Sequence, residues 1–128
     1  MNKRTADYQD PYFKNVFKDS YYTLKNDHSG LFKKISNVDV LKNIHEIMID
    51  GRHFKNSDEV VGELGDYILV NDEFFQLLYG EDYTQFKRKL EDKGINYPYI
   101  LACAIMKEMQ INKILNKTII EEKEKFVS

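Results

Sequence analysis

The sequence predicts a mainly α fold, a compact single-domain bundle of five to six helices with a long C-terminal helix and at most one short β-hairpin or strand. Apolar residues recur at spacings of three and four along most of the chain, and Asp, Asn, Ser or Pro stands where these stretches begin. The length of 128 residues is enough for one core. Nine Tyr and eight Phe, within a hydrophobic fraction of 42%, can fill that core.

The first half of the chain contains two helix predictions. Asp10-Pro11 is a favourable helix start, and the apolar spacing then predicts a helix over about residues 11–25. Residues 31–35 are predicted to be a short connecting segment, after which Ser36 or Asn37 can cap the second helix.

The end of the second helix, residues 47–54, has two interpretations. The apolar stripe that precedes this segment favours a helix end followed by a turn. Asp50-Gly51 is also the dipeptide that a tight hairpin turn prefers, so a β-hairpin is the alternative.

The middle of the chain predicts short elements separated by glycines. A short helix begins at Asn56 or Ser57 and closes at Gly65, and residues 66–70 form a short strand or an extended link. Two further short helices end near Gly80 and Gly94.

The last predicted element is a long helix from Pro98 towards Glu124. Its first turns, residues 100–106, are apolar on every side, so we expect them at the centre of the core. Nothing in the composition suggests a linker or a repeat, and the prediction is one domain over residues 1–128. Residues 1–9 are expected to be flexible and residues 121–128 to fray.

The cellular setting is predicted from what the chain contains and lacks. Cys103 is the only cysteine, so no intrachain disulfide can form, and the sequence has no apolar run of membrane-spanning or signal-peptide length. Both observations favour a cytoplasmic protein without membrane contact. Sixteen Lys against three Arg, with abundant Asn, Ile and Tyr, is typical of AT-rich genes and indicates a low-GC bacterium, its phages or a mobile element.

Catalytic, cofactor and metal motifs are missing from the sequence. There is no glycine-rich phosphate loop, no nucleophile elbow and no His-Glu-x-x-His. His45 and His53, with the carboxylates near them, could hold a divalent metal, but two histidines beside a turn are the favoured interpretation. Cys103 stands in an apolar run without a base, which disfavours a nucleophile. We therefore expect a non-enzyme without cofactor or metal.

Direct nucleic-acid binding is disfavoured by a net charge of −2. Lys87, Arg88, Lys89 and Lys93 are the only compact basic group, and a solvated helix face explains it. A small DNA-binding transcriptional regulator using this group on a symmetric dimer is the second hypothesis, and a metal-dependent enzyme is the third.

Charge segregation is the most distinctive feature of the sequence. Residues 56–86, which we call the acidic segment, contain eight acids and no Lys or Arg. Three of its acid pairs fit the first turns of helices, where they offset the helix dipole. The eight acids are Asp58, Glu59, Glu63, Asp66, Asp72, Glu73, Glu81 and Asp82.

Aromatic residues, which are frequent anchors in protein interfaces, are interleaved with these acids at Tyr67, Phe74, Phe75, Tyr79 and Tyr83. Tyr79 and Tyr83 are the predicted interface anchors, and Tyr79 is the first choice because its hydroxyl suits a half-exposed position. Our leading hypothesis is an inhibitor or adaptor that uses the eight acids and these two tyrosines to bind another protein with a basic surface, such as one that handles nucleic acid. The alternative is that the aromatics fill the core and the acids only solubilise the surface. The oligomeric state is left open.

Overall fold

The computed structural model describes residues 11–55 and 57–115. Seven helices and no strand occur in these ranges, so the mainly α prediction is confirmed there. The predicted flexible start, residues 1–9, and the predicted fraying end, residues 121–128, lie outside the described residues. The helices are α1 (Pro11–Asp27), α2 (Ser29–Ile35), α3 (Val38–Met48), α4 (Ser57–Val70), α5 (Asp72–Tyr79), α6 (Glu81–Asp92) and α7 (Tyr97–Ile111).

Residues 29–35 form a helix, and the prediction of a connecting segment at 31–35 is wrong. Leu31 and Ile35, four residues apart, are both fully buried. Burial of this helical face stabilises a helix of two turns, which is too short to be stable or predictable from its own sequence. Of the two predicted caps, Ser36 and Asn37, the structure has Asn37: its side chain accepts a hydrogen bond from the Val40 amide at 3.1 Å, and α3 begins at the next residue.

The segment after α3 is a turn. Helix α3 ends at Met48, and Gly51 occupies the left-handed region with φ +76°. The helix-then-turn interpretation of residues 47–54 is therefore confirmed, and the hairpin is wrong.

Helix α4 continues without interruption through Gly65 to Val70, which corrects the predicted stop at Gly65 and the strand at 66–70. Gly65 lies in the interior of α4, at the point where α7 crosses this helix closely. A Cβ atom built on Gly65 would lie 1.9 Å from Cδ1 of Tyr99. The glycine thus serves close helix packing rather than helix termination.

The breaks at Gly80 and Gly94 are confirmed. Both glycines have positive φ, +85° and +73°, which residues with a Cβ rarely adopt. They separate α5, α6 and α7, which pack around the same core as α2 and α4.

Helix α7 is the central element, and all seven residues from Ile100 to Met106 are buried, as predicted. It ends at Ile111, well before Glu124. The Ile114 amide donates to the Met109 carbonyl at 2.8 Å and Lys113 adopts φ +59°, an arrangement that closes the helix. Residues 116–128 lie outside the described part of the chain.

Candidate protein-binding surface

The first acids of the acidic segment hold α4 to the loop before it. Asp58 is 5% exposed, Glu59 accepts a hydrogen bond from the Lys55 amide at 3.0 Å, and Glu63 forms an ion pair with Arg52 at 3.0 Å. Each acid pair predicted for a first helical turn does occupy one, in α4, α5 and α6. The acids in this half of the segment therefore mostly interact with groups of the protein itself.

Asp66 also makes an internal contact. Its carboxylate accepts a hydrogen bond from the Tyr99 hydroxyl at 2.7 Å, one residue after Gly65. This bond fixes the ring that packs on Gly65 and ties α4 to α7.

Asp72 is the centre of a polar cluster that joins α5, α6 and α7. One carboxylate oxygen accepts from the hydroxyls of Tyr83, at 2.9 Å, and Tyr97. The other accepts from Gln76 and from the Lys87 ammonium, both at 2.7 Å. The same ammonium group lies 5.3 Å from the centre of the Tyr97 ring. We call these five residues the Asp72 cluster.

The Asp72 cluster keeps its carboxylate ionised. Partial burial by itself raises the pKa of Asp72, but hydrogen bonds from Lys87, Tyr97, Tyr83 and Gln76 outweigh burial and lower the pKa to about 2. Burial, together with the bond to this carboxylate, raises the pKa of both tyrosines well above 10. The cluster is thus a charged structural joint at neutral pH.

Three acids of the segment face solvent more openly. Glu73 and Glu81 are exposed, and the Asp82 side chain is 44% exposed, with its carboxylate 3.9 Å from Nδ1 of His28. They lie in the first turns of α5 and α6. The predicted set of eight binding acids is therefore divided by the structure into a mostly internal group and this solvent-facing group.

Tyr79 and Tyr83 are 0% and 1% exposed, so the prediction of a half-exposed Tyr79 anchor is wrong. Both rings turn inward, with their centres 5.9 Å apart and Phe75 beside them. Burial raises the pKa of Tyr79, whose hydroxyl has no hydrogen-bond partner within the described structure. These aromatics belong to the core, as the alternative interpretation of the segment expected.

The apolar residues that the acidic segment does expose are different from Tyr79 and Tyr83. Five lie within ten positions around the junction of α4 and α5, and we call them the docking surface. On α5, positions 74, 77 and 78 share one helical face because they are three and four residues apart. The exposed fractions are 53% for Leu69, 81% for Val70, 49% for Phe74, 86% for Leu77 and 36% for Leu78.

Sequence reasoning missed the docking surface because α5 is apolar on two faces. Phe75 is buried while its neighbour Phe74 is half exposed. In an eight-residue helix with apolar residues on both sides, periodicity cannot say which side meets the core. The sequence signal that could have revealed it was the spacing of Phe74, Leu77 and Leu78, which fits an apolar stripe on a different side of α5 from Phe75 and Tyr79.

The basic group at 87–93 is divided by its contacts. Lys87 belongs to the Asp72 cluster, and the Lys89 ammonium lies 3.3 Å from Nε2 of the buried His28. Arg88 and Lys93 are exposed. Two of the four cations thus point towards internal partners, which weakens the case for a DNA-binding face.

The residues considered for chemistry are dispersed. His45 is half-buried, His53 is exposed, and the described residues hold no group of three or more His, Cys, Asp or Glu side chains placed to share a metal ion. Cys103 is 2% exposed, and burial, assisted by the charge of Asp58, raises the pKa of its thiol far above the usual value. A buried thiol with a raised pKa is a poor nucleophile at neutral pH.

No protein-family model, curated protein or solved structure matches the chain. Among the described residues, no helix is both long enough and apolar enough to cross a membrane. The described residues form an all-α fold that exposes apolar side chains at the junction of α4 and α5, beside the acidic first turn of α5.

Proposed function

We propose that the protein is a non-catalytic, cytoplasmic protein-binding domain of the inhibitor or adaptor type, and that it binds its partner through the docking surface. The observation that carries this proposal is the exposure of five large apolar side chains within ten residues. Exposed apolar side chains grouped in this way are costly in water and mark interaction sites. Single exposed apolar residues elsewhere, such as Ile47, are ordinary.

The spacing of the docking surface suggests how it binds. Phe74, Leu77 and Leu78 stand at positions i, i+3 and i+4 of α5, which is the anchor pattern of an amphipathic helix that lies in an apolar groove. Leu77 projects farthest, with 86% of its surface exposed, while Phe74 supplies an aromatic anchor. The partner on this proposal offers a groove that accepts one short helical face.

The charge next to the docking surface suggests the rim of that groove. Glu73 directly precedes Phe74 in the first turn of α5, and Glu81 and Asp82 are the two residues that follow Gly80. A basic rim on the partner would be attracted to them and would speed association. The proposed partner therefore still has a basic surface, as a nucleic-acid-handling protein would. The proposed anchors are Phe74 and Leu77 instead of the buried Tyr79 and Tyr83.

Truncation of the docking surface tests the proposal. A photo-crosslinking amino acid placed at Leu77 of the full chain, expressed in its native host, captures the partner, which mass spectrometry then identifies. With that purified partner, Leu77→Ala and Phe74→Ala should each weaken binding about tenfold or more, mainly through faster dissociation in surface plasmon resonance. The melting temperature should change little for Leu77→Ala, because that side chain is 86% exposed, and should fall slightly for Phe74→Ala, which also removes an edge contact with the Phe75 ring.

The matched control is Ile47→Ala on α3, an apolar residue of 53% exposure outside the docking surface. It should leave binding unchanged. Equal binding by all three variants contradicts the proposal, and so does capture of only a second copy of this chain, which would make the surface a self-association interface.

Charge reversal tests the proposed steering. Glu73→Lys combined with Glu81→Lys should slow association about tenfold at low salt, and the difference from the unchanged protein should shrink as salt rises. Asp72 is unsuitable for this experiment because it holds the Asp72 cluster together. The control is Glu46→Lys, an exposed acid on α3. An association rate that is the same for both charge variants at every salt concentration would exclude a basic rim.

A further inference from the structure

A second possible site lies between α1 and α7 and shares no residue with the docking surface. It is a pocket of about 280 Å³. Its lining combines three aromatic rings with three lysines and contains no acid. The lining residues are Phe17, Lys18, Tyr21, Tyr22, Lys25 and Lys107, and we call this the lysine pocket.

Helical spacing brings the lining together. Five of the six residues come from α1 at relative positions 1, 2, 5, 6 and 9, which place them on one side of a helix, and Lys107 reaches in from α7. The Tyr21 hydroxyl donates at 2.7 Å to Glu108, whose side chain belongs to a residue only 5% exposed. Phe17 and Phe32 hold the same ring, with centres 5.7 and 5.8 Å away. The aromatic wall is therefore fixed before any ligand arrives.

Positive charge converges on that wall. The ammonium of Lys107 lies 4.4 Å from the centre of the Tyr21 ring, and that of Lys25 lies 5.8 Å from the same centre. Salt bridges in the described ranges involve His28, Arg52 and Lys87, so no carboxylate pairs with a pocket lysine there. Glu108, which contacts the wall through the Tyr21 hydroxyl, is already engaged by that hydrogen bond.

Two ammonium groups beside one ring repel each other, and cation–π attraction offsets only part of this. An anion between Lys25 and Lys107 would be attracted by both. Tyr22, 59% exposed at the rim, offers a ring on which a flat ligand can stack. The pocket therefore suits a molecule that combines a negative group with an aromatic ring.

The volume of the pocket and the net charge of the protein further restrict the class of ligand. A pocket of about 280 Å³ is just below the range of about 300 to 1,000 Å³ that is typical of small-molecule sites, which favours a ligand no larger than one nucleotide. A protein of net charge −2 has little general attraction for a long polyanion, whereas three local lysines suffice for one phosphate. Stacking on tyrosine and contact with lysine are the two interactions by which proteins hold an unpaired nucleotide.

We propose that the lysine pocket binds a single nucleotide, with its phosphate between Lys25 and Lys107 and its base stacked on the exposed ring of Tyr22. This chemistry is shared by a free mononucleotide and by the 5′-phosphorylated end of a strand. It is independent of the docking surface, so either proposal can fail without the other.

Titration of the isotope-labelled full chain by NMR tests this site. Adenosine monophosphate should produce saturable shifts at Tyr21, Tyr22, Lys25 and Lys107, with a Kd of about 1 mM or tighter. Adenosine alone and inorganic phosphate alone should each bind about tenfold more weakly, because each supplies half of the contacts. A 5′-phosphorylated trinucleotide, compared with adenosine monophosphate, distinguishes a strand end from a free nucleotide.

Variants separate the charge from the stacking. Lys25→Gln combined with Lys107→Gln should weaken nucleotide binding about tenfold, whereas Lys42→Gln on the exposed side of α3 should leave it unchanged. Tyr22→Ala should weaken binding about fivefold or more and Tyr22→Phe should restore it, because the ring rather than the hydroxyl stacks. No saturable shift with either nucleotide probe overturns the proposal, as does equal binding by the double lysine variant or by inorganic phosphate.

Discussion

Gly65→Ala is expected to lower the free energy of unfolding by about 3 kcal/mol, although the same change in an ordinary helix interior raises stability by about 0.5 to 1 kcal/mol. The reason is the contact with α7. The added Cβ would lie 1.9 Å from one ring carbon of Tyr99 and 2.2 Å from the next. The ring cannot swing away freely, because its hydroxyl is bonded to Asp66 at 2.7 Å, so the two helices must move apart.

Chemical denaturation of a double-mutant cycle checks this explanation. Tyr99→Ala removes the ring that the new methyl group would meet, so Gly65→Ala should cost far less in that background than in the unchanged protein. The control substitution is Gly94→Ala, where a Cβ has no neighbour within 4 Å and only the positive φ opposes it. Its cost should be the same with and without Tyr99. Additive effects of Gly65→Ala and Tyr99→Ala would show that the two residues do not meet.

Gly65 also shows why part of the fold could not be predicted from sequence. A glycine that ends a helix and a glycine that admits a neighbouring helix look the same along the chain. The residue that decides between them, Tyr99, stands 34 positions later and on another helix. The end of α7 illustrates the same limit, because Lys113 adopts the left-handed conformation usually taken by glycine.

Other elements were predictable because local chemistry determines them. Asn37 caps α3 with its own side chain, and Gly80 and Gly94 stand where the backbone needs positive φ. The run from Ile100 to Met106 is apolar on every side, and only the centre of the fold can bury all of it. In these cases the decisive information lies within a few residues.

The acidic segment was found from charge alone, but the role of each acid depends on partners distant in sequence. Asp66 and Asp72 bind hydroxyls of α7 residues, and Glu63 pairs with Arg52. Composition detects an excess of acids and cannot tell which are neutralised by contacts across the fold. The structure therefore indicates a binding surface of exposed apolar residues, and a pattern of charges in the sequence cannot predict such residues.

Asp72→Ala is expected to lower the free energy of unfolding at pH 7 by about 3 kcal/mol, because it removes one acceptor that serves four donors. Tyr83 and Tyr97 would keep hydroxyls in largely buried positions without this acceptor, and Lys87 would lose its carboxylate at 2.7 Å. Glu73→Ala, at the next position, is the matched control, since Glu73 is exposed and should cost less than about 0.5 kcal/mol. Similar small losses for both variants would mean that the cluster contributes little.

The dependence on pH separates the charge of Asp72 from its packing. Its folded pKa, about 2, is below the ordinary value near 4, so the ionised form stabilises the folded state above pH 4. That stabilisation should disappear as the pH falls from about 4 to about 2.

Asp72→Asn keeps the shape and one acceptor but has no charge to lose. The difference in unfolding free energy between the unchanged protein and Asp72→Asn should therefore shrink by about 1 to 2 kcal/mol over this range, allowing for solvent screening at a partly exposed site. Because every other acid is common to both proteins, their titration cancels in the difference. A difference that stays constant from pH 7 to pH 2 would show that Asp72 joins α5, α6 and α7 through geometry alone and that its charge adds nothing.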